Sequence, residues 1–600
     1  MLQNKKNKTN SFNRRLFLVI SIKIISFSFL LERLFNLQVR QSEKYKKLAE
    51  NNRISLSFIL PSRGLIYDRN RNILADNIEQ YQLIFKYDNS LNKADALRKL
   101  LRIVSLDENK KKKLIKKIYD DKKNSNEVLI KNNLSWNEVA RISSNITELR
   151  GVFIEMRLVR VYYELAASHL IGYVGKPDRY TNPKLSKVEG TFVGKLGIEH
   201  AFDKELQGKF GIKKEEVNAH GRVVNEISRV NGLSGKDINL TISKNLQKFC
   251  HNRLGNNSGS IVTLDLKTGD ILSLVSKPSF DSNDFINTMS NNKWEEIKNN
   301  INKPLFNRAS DGIYPPGSIF KLIVVMAASE INEFNPDRKY FCNGGYKFGN
   351  RIFHCWREEG HGWVDCKDAL AMSCDCYFYD LSLKVGIDRI SEIAKDFGLG
   401  KKYLDDIYST TEGLIPTKNW KKKMYGRSWT KSDTIVAGIG QGFALASPIQ
   451  LAVMIARIAT DGIAIEPNII KNKTKVIKEF SQITRIDKEV YKLVKAGMYD
   501  AVNNPIGTAF SSRLISEKLM SGKTATSQVR RISMKEREEG VIKNEKLPLE
   551  QRDHALFVGY YPHTKPKFAF SIVVEHGGSG SKSAAPIAKD LCRELKYIKT

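Results

Sequence analysis

The chain has 600 residues, 41% of them hydrophobic and six of them Trp, which suits two or three folded units and excludes a disordered chain. Its formal net charge is +33, but Lys and Arg are spread along the whole sequence. No zinc-knuckle, helicase or phosphate-loop pattern accompanies them, so a nucleic-acid-binding function is not expected. General basicity fits a protein that works against an anionic membrane surface or an acidic polymer.

The N-terminus combines a basic segment with an apolar one. Residues 1–15 contain five Lys and Arg side chains, and Leu16 to Leu31 is apolar apart from Lys23 and a few serines. No small-residue cleavage site follows, so we expect an uncleaved membrane anchor over 16–37 rather than a signal peptide. The basic segment is then a cytoplasmic tail, and everything after the anchor lies outside the cytoplasm.

The segment after the anchor changes composition several times. Pro61 to Asn70 places Arg63 and Gly64 at a bend between strand-like runs. We predict an elongated α+β stalk over 38–231, and a larger domain over 232–600.

The larger domain opens with a predicted β-hairpin. Its strands are Gly259 to Leu266 and Ile271 to Ser276, joined by a four-residue turn sequence.

Ser318 is the candidate nucleophile. It follows Pro315-Pro316-Gly317, which cannot continue a helix, and precedes an apolar run to Ala328, so the sequence predicts that Ser318 opens a buried helix. Residues three apart share a helix face, which places the Lys321 amine one turn from the Ser318 hydroxyl, where it can accept the serine proton. When such a four-residue pattern occurs alone, a capped core helix is the plainer interpretation.

Five of the seven cysteines fall between Cys342 and Cys376, and two interpretations of this cluster are open. The first is a tetrahedral zinc site with three thiolates and one imidazole, in which His354 could replace any one ligand. The predicted ligands are Cys342, Cys355, His361 and Cys374. The second interpretation is a disulfide, Cys355–Cys366 or Cys366–Cys376, as is common outside the cytoplasm.

Two further motifs accompany the nucleophile. Ser373-Cys374-Asp375 begins 55 residues after Ser318, and Lys523 to Val529 alternates small polar residues with others, as a strand does. A second hairpin is predicted from Ala555 to Glu575, and an amphipathic helix from Ala584 to Tyr597. These elements predict an α+β fold, an antiparallel sheet flanked by helices.

The three segments together resemble the Ser-x-x-Lys, Ser-x-Asn and Lys-Thr-Gly motifs of penicillin-binding proteins and serine β-lactamases. Pro61 to Asn70 resembles the opening signature of class B penicillin-binding proteins. The Ser-Cys-Asp variant resembles the elongation-type penicillin-binding protein 2 subfamily. The four predicted ligands also resemble a metal-binding insertion of that subfamily, which favours a structural zinc ion over disulfides.

The resemblance implies a single-pass inner-membrane D,D-transpeptidase that cross-links peptidoglycan stem peptides during cell elongation and is acylated by β-lactams. Ser318 would attack the D-Ala-D-Ala carbonyl and Lys321 would take its proton. Ser373, held by Asp375 and the lysines, would relay a proton to the leaving D-alanine. The implied catalytic residues are Ser318, Lys321, Ser373, Asp375 and Lys523.

The same resemblance implies the substrate contacts. Lys523 and Thr524 would hold the terminal carboxylate, and the backbone N–H groups of Ser318 and Thr526 would bind the oxyanion. Ala525 departs from the family pattern, which has Gly where the strand must let substrate approach. We expect the extra methyl group to weaken β-lactam binding without abolishing the reaction.

Two other functions stay open. A D,D-carboxypeptidase or another penicillin-interactive serine hydrolase would use the same acyl-enzyme with water as acceptor, but the long stalk argues against a free-standing hydrolase. A noncatalytic scaffold would explain Ala525, but it would have no reason to keep Ser318, Lys321, Ser373 and Lys523.

The implied partners are those of a wall-elongation complex. No glycosyltransferase-sized region precedes the stalk, so we expect a polytopic rod-system glycosyltransferase together with elongation scaffold proteins.

Overall fold

A computed structural model of the chain describes residues 2–86, 93–104, 111–112, 114–116, 127–149, 151–178, 185, 188, 190–217, 223–286, 289–405, 407, 410–471, 479–530, 532, 536 and 540–598. The chain forms two compact units. The first contains 1–61, 81–156 and 208–234, and the second contains 62–80, 157–207 and 235–600. The domain boundaries predicted from the sequence stay predictions. Of the predicted tail, 1–15, Met1 and all side chains except that of Arg14 lie outside the described residues.

The helices differ in length from four residues to 34. In chain order they are α1 (Leu2–Phe35), α2 (Ser42–Arg53), α3 (Lys93–Ile103), α4 (Trp136–Ser144), α5 (Ser168–Ile171), α6 (Gly197–Ala201), α7 (Asp203–Gln207), α8 (Lys244–Arg253), α9 (Asn291–Asn299), α10 (Lys321–Ala328), α11 (Cys366–Ala371), α12 (Asp375–Val385), α13 (Ile387–Asp396), α14 (Lys418–Tyr425), α15 (Lys431–Gly438), α16 (Pro448–Ala459), α17 (Lys488–Asn503) and α18 (Ala585–Leu595).

The strands are mostly short and antiparallel. In chain order they are β1 (Ile54–Ile59), β2 (Ile66–Tyr67), β3 (Ile73–Lys86), β4 (Glu127–Lys131), β5 (Val152–Tyr162), β6 (Val174–Gly175), β7 (Val193–Gly194), β8 (Gly211–Val217), β9 (Val223–Val230), β10 (Ile238–Asn239), β11 (Gly259–Asp265), β12 (Ile271–Lys277), β13 (Tyr340–Cys342), β14 (Gly345–Phe348), β15 (Arg351–His354), β16 (Gly362–Val364), β17 (Ser521–Ser527), β18 (His554–Tyr561) and β19 (Phe568–Val574).

The first unit contains α1 and a three-stranded antiparallel sheet in the order β1-β8-β9. A small core that includes Leu83, Leu100 and Ile142 packs separately within it. Large apolar side chains of α1 from Leu16 to Phe35 are exposed. Among the helices in the described part of the chain, none combines the length and the hydropathy needed to cross a membrane.

The second unit is organised by a five-stranded antiparallel sheet in the order β12-β11-β19-β18-β17. Both predicted hairpins are confirmed, since β11 pairs with β12 and β18 pairs with β19. The predicted C-terminal helix is confirmed as α18. The α+β fold class is therefore confirmed for this unit.

The sheet separates two hydrophobic cores. Along β18, Leu556 and Val558 face one core, and Ala555 and Phe557 face the other, because successive side chains of a strand point to opposite faces. Helix α16 packs against the first face, and α18 packs against the second. Strand β17 is an edge strand that pairs only with β18 among the described strands, which leaves its other side available for a site.

Candidate active site

The predicted nucleophile lies on a tight turn. Gly317–Ile319 is a 3₁₀ turn, and α10 begins at Lys321, so Ser318 precedes the α-helix rather than opening it. Gly317 has φ +53°, and its N–H donates to the Gly440 carbonyl at 2.9 Å. A Cβ atom at Gly317 would lie 2.9 Å from the Thr526 carbonyl oxygen. Glycine therefore lets the turn approach strand β17, and Ser318 is half-buried beside it.

Lys321 connects the nucleophile helix to the second motif. Its side chain is fully buried, and its Nζ donates to Asp375 Oδ1 at 2.7 Å, to the Ser373 carbonyl at 2.9 Å and to Ser373 Oγ at 3.3 Å. The ammonium also lies 5.4 Å from the ring centroid of Phe378. Three acceptors match the three N–H bonds of an ammonium, so the structure holds Lys321 in one position.

Ser373 and Asp375 are positioned by the junction between α11 and α12. Ser373 has φ +59°, a left-handed conformation that costs a non-glycine residue about 1–3 kcal/mol. Asp375 is the first residue of α12, and its Oδ2 accepts from the Trp356 backbone N–H at 2.9 Å. The strained serine is thus held between a helix start and the Lys321 ammonium.

Lys523 is the second buried amine of the site. It lies on β17, it is fully buried, and its Nζ donates to the Thr524 carbonyl at 3.4 Å. Burial lowers the pKa of Lys523 well below its usual value, the Lys321 charge lowers it further, and Asp375 opposes the change. The Lys523 ammonium therefore loses its proton more easily than that of an exposed lysine.

The residues after Lys523 line the same strand. Thr524 Oγ1 lies 2.7 Å from Thr508 Oγ1, and the Thr526 carbonyl accepts from Gln441 Nε2 at 3.0 Å. Ala525 pairs with Leu556 and Lys523 with Val558, so both side chains are on the same face of the sheet. A Cβ atom at Gly317 would lie 3.2 Å from the Ala525 methyl carbon, which places that methyl against the nucleophile turn.

The structure therefore brings the predicted catalytic residues to one place. We call this group the catalytic cluster; it consists of Ser318, Lys321, Ser373, Asp375 and Lys523.

The four predicted metal ligands also converge. We call them the thiol cluster: Cys342, Cys355, His361 and Cys374. Their ligand atoms all lie within 4.8 Å of one another. His361 Nδ1 is 3.7 Å from Cys342 Sγ and 3.5 Å from Cys355 Sγ. A tetrahedral zinc ion with ordinary Zn–S and Zn–N bonds requires about 3.6 Å between such atoms, so the geometry fits zinc.

Two small hairpins build the thiol cluster. Cys342 ends β13, Cys355 follows β15, and His361 precedes β16, with its N–H bonded to the Cys342 carbonyl at 3.0 Å. Cys374 is the N-cap residue of α12. All seven cysteines are free thiols, so neither of the disulfides considered from the sequence is formed.

Two of the three thiols of the thiol cluster favour the anionic form, whereas the hydrogen bonds that Cys374 makes to Cys342 and Cys355 raise its own pKa far above the usual range. A hydrogen bond from Cys374 lowers the pKa of Cys342 to about 5 and lowers the pKa of Cys355 still further below its usual range. Burial opposes protonation of His361, but the Cys355 and Cys342 sulfurs raise its pKa overall. Negative charge on these sulfurs is what a divalent cation would neutralise.

Some residues of the site are not apparent from the sequence. Trp356 bonds both Asp375 and the Ser373 carbonyl, and its only sequence signal is that it follows the predicted ligand Cys355. Thr508 contacts Thr524 across 16 residues and has no local signal. Phe378 faces Lys321, but in the sequence it is one apolar helix position among several.

Two family models match this chain. The penicillin-binding protein transpeptidase domain matches residues 259–593, and the penicillin-binding protein dimerisation domain matches 58–240. The chain belongs to the penicillin-binding protein transpeptidase family.

Relatives and solved structures define the family branch. The peptidoglycan D,D-transpeptidase MrdA of Haemophilus influenzae is 32% identical, with 98% of this chain and 92% of that protein covered. PBP2 of Helicobacter pylori, solved in complex with MreC, has a TM-score of 0.78 at 27% identity and covers 90% of this chain and 98% of its own. PBP2 of Pseudomonas aeruginosa, solved in complex with WCK 5153, has a TM-score of 0.67 at 30% identity. The match covers 91% of this chain and 97% of the P. aeruginosa chain. The chain is therefore a class B, PBP2-like member of the family, which confirms the resemblance seen in the sequence.

Proposed function

We propose that this chain is a peptidoglycan D,D-transpeptidase of cell elongation that works through an acyl-enzyme on Ser318. Family membership supports the reaction class. The observation that carries the assignment of residues is the position of Lys321, which contacts Ser373 and Asp375 one turn after Ser318.

In the first half-reaction, Ser318 Oγ attacks the carbonyl carbon of the penultimate D-alanine, and Lys321 Nζ takes the hydroxyl proton. The bond to the terminal D-alanine then breaks. Its amine takes a proton from Ser373 Oγ, which is resupplied by Lys321 across 3.3 Å. Free D-alanine leaves, and the peptide remains as an ester on Ser318.

In the second half-reaction, an amine of another stem peptide attacks that ester. Its proton passes back along the same residues to Ser318 Oγ, which leaves as the free hydroxyl. The product is a peptide cross-link and unmodified enzyme. A β-lactam forms the same ester but opens a ring instead of releasing an amine.

Substrate recognition falls to strand β17. Lys523 and Thr524 would hold the terminal carboxylate, and the Ser318 and Thr526 N–H groups would bind the oxyanion. Burial favours neutral Lys523 in the free site, and an arriving carboxylate would favour its charged form.

We further propose that the thiol cluster holds a structural zinc ion through Cys342, Cys355, His361 and Cys374. The donor set and its spacing support this assignment. Bound zinc would cross-link the two hairpins to the start of α12, the helix that follows Ser373. Its role would be to stabilise that backbone and not to contact substrate.

Residues 16–37 are proposed to anchor the chain in the inner membrane, with the catalytic unit outside the cytoplasm. Exposed apolar side chains from Leu16 to Phe35 and the basic residues before them support the anchor. Carbonate extraction of membranes tests this: full-length chain should stay in the pellet, and chain lacking 1–37 should not.

The partners proposed are an MreC-like elongation scaffold protein and a polytopic glycosyltransferase. Support comes from the H. pylori PBP2 structure solved with MreC. Co-purification of the full-length chain with its own organism's counterparts tests the contact, with the chain lacking 38–231 as control.

The deciding experiment uses full-length protein in detergent with a fluorescent penicillin. We expect one covalent adduct on Ser318 by mass spectrometry and none on Ser318→Ala. Supplying glycan polymer with intact stem peptides then separates the transpeptidase from the hydrolase, because cross-linked dimers form only in the first case. A folded wild-type protein that takes up no penicillin would instead support the noncatalytic scaffold.

A further inference from the structure

Trp356 lies between the thiol cluster and the catalytic cluster. It follows Cys355 in the chain, and its ring contacts the His361 imidazole edge-on with 5.4 Å between centroids. Its backbone N–H donates to Asp375 Oδ2 at 2.9 Å. Its indole Nε1–H donates to the carbonyls of Ser373 at 3.1 Å and Met372 at 3.2 Å.

Two of the three groups that Trp356 bonds, the Asp375 carboxylate and the Ser373 carbonyl, are also acceptors of Lys321. The Ser373 carbonyl accepts from Lys321 Nζ at 2.9 Å and from the indole. The Asp375 carboxylate accepts from Lys321 through Oδ1 and from Trp356 through Oδ2. Lys321 thus has three acceptors, and Trp356 supplies a second hydrogen-bond donor to two of them, the Ser373 carbonyl and the Asp375 carboxylate. The Ser373 hydroxyl is the third.

That duplication matters when the lysine acts as a base. As an ammonium, Lys321 has three N–H bonds for three acceptors. To accept the Ser318 proton it must present a lone pair, which leaves two N–H bonds, so one acceptor loses its lysine donor. A buried carbonyl left without any donor would cost free energy at that moment.

We propose that Trp356 is a positioning residue for acylation, whose indole N–H keeps the Ser373 carbonyl hydrogen-bonded while Lys321 accepts the Ser318 proton. This inference rests on the proposed function, in which Lys321 is the base. It also assigns a role to the left-handed Ser373, whose φ of +59° turns its carbonyl to where both donors reach it.

A purely structural role for Trp356 predicts something else. The indole also bonds Met372, the C-cap residue of α11, so it could act only by closing that helix. In that case its loss would lower the melting temperature and leave the acylation rate constant of folded protein unchanged.

The test compares three variants of the full-length protein with wild type. Trp356→Phe keeps an aromatic ring and removes the N–H. Trp356→Gln restores a side-chain N–H at a similar reach. Trp363→Phe is the matched control, because Trp363 is an exposed tryptophan of the same small hairpins and contacts Phe341 instead.

Stopped-flow acylation by a fluorescent penicillin separates the acylation rate constant from the dissociation constant of the first complex. We expect Trp356→Phe to lower the rate constant about tenfold, as the loss of one hydrogen bond to a strained site suggests, with the dissociation constant unchanged. Trp356→Gln should recover most of the rate, and Trp363→Phe should match wild type. Metal content and melting temperature are measured on the same samples.

Several outcomes would overturn the inference. They are an unchanged rate constant in folded Trp356→Phe, an effect confined to the dissociation constant, and a folded Trp356→Gln as slow as the Phe variant. If Trp356→Phe does not fold, the rate of Trp356→Gln alone decides. Wild-type protein without acylation would overturn the proposed function together with this inference, so the two failures are distinguishable.

Discussion

The catalytic cluster and the thiol cluster lie in the same unit but differ in the structure around them. Lys321 and Lys523 are both fully buried within the large core, between helix α10 and strand β17. The thiol cluster is carried by two-stranded hairpins whose large side chains are mostly outside, with Ile352 58% and Trp363 65% exposed. Packing therefore fixes the first cluster. In the second, Cys342, Cys355 and Cys374 are buried in the same core, but the hairpins that carry two of them are exposed on their outer side.

This difference predicts opposite effects on stability. Two amines buried next to each other oppose folding, since their charged forms lose hydration and repel each other. Ligands carried by hairpins with an exposed outer side favour folding when a metal joins them, because the metal adds a cross-link that such small sheets do not supply themselves. The catalytic cluster is thus a cost in stability, and the thiol cluster is a support.

The largest expected effect comes from Lys523→Met. Acylation by penicillin should fall about 100-fold, since the amine that orders the site is lost. The free energy of unfolding at pH 7 should rise, on the order of 1 kcal/mol, because a buried amine is replaced by an apolar chain of similar length. Acylation kinetics and urea denaturation measure the two effects.

The pH dependence of the stability gain in Lys523→Met tests whether the buried amine causes it. Because the folded-state pKa of Lys523 is lowered, protonation of the amine costs stability at low pH, and the cost disappears as pH rises towards the unfolded-state value of about 10.4. The stability gain should therefore shrink between pH 7 and pH 10. Lys567→Met, at an exposed lysine, is the control and should show no gain. A destabilised Lys523→Met at pH 7 would contradict the comparison.

The second prediction concerns Cys355→Ser. Loss of one ligand should remove most of the bound zinc and lower the free energy of unfolding on the order of 3 kcal/mol. Acylation should slow about tenfold in protein that stays folded, because α12 and Ser373 lose their cross-link. Metal analysis, urea denaturation and penicillin acylation measure these effects.

Cys366→Ser is the matched control for that variant. Cys366 is also fully buried beside the hairpins, but it is not one of the four predicted ligands, and burial raises the pKa of its thiol to about 12. It should keep its zinc and its acylation rate. If the two variants lose equal stability and both keep their metal, the thiol cluster is held by packing alone and not by a metal at the four predicted ligands.

How far the sequence predicts each cluster follows from the range of its contacts. The Ser318 turn, strand β17 and the hairpins β11–β12 and β18–β19 are local patterns. Turn residues and the alternation of side-chain types along a strand suffice to predict them. The four predicted ligands stand out in the sequence because cysteine and histidine are rare enough for their spacing to be informative. Trp356 and Thr508 are missed because their roles depend on contacts 16 to 19 residues away, for which the chain carries no periodic signal.

The beginning of α10 shows a smaller limit. Proline and glycine before Ser318 correctly predict where the helix cannot extend, yet the chain first makes a 3₁₀ turn. The reason lies in the tertiary structure, since Gly317 bonds Gly440 and approaches Thr526. Neither contact is visible from the local sequence.

The smallest expected effect comes from a substitution that alters only the packing around the catalytic cluster and leaves the thiol cluster unchanged. Ala525→Gly removes the methyl group that faces the nucleophile turn. We expect penicillin acylation to become about fourfold more efficient, since a change of one carbon in a packed site is worth about 0.8 kcal/mol and about 1.4 kcal/mol corresponds to a factor of ten. The free energy of unfolding should fall by about 0.5–1 kcal/mol, because glycine loses more backbone entropy in a strand.

Ala569→Gly distinguishes these two effects. Ala569 is a buried alanine of β19 in the same core, so its replacement should cost similar stability without changing acylation. A faster Ala525→Gly beside an unchanged Ala569→Gly would mean that the methyl group restricts the site itself. Equal acylation in both variants and wild type would mean that β17 already leaves room for substrate, and that packing fixes the catalytic cluster without narrowing it.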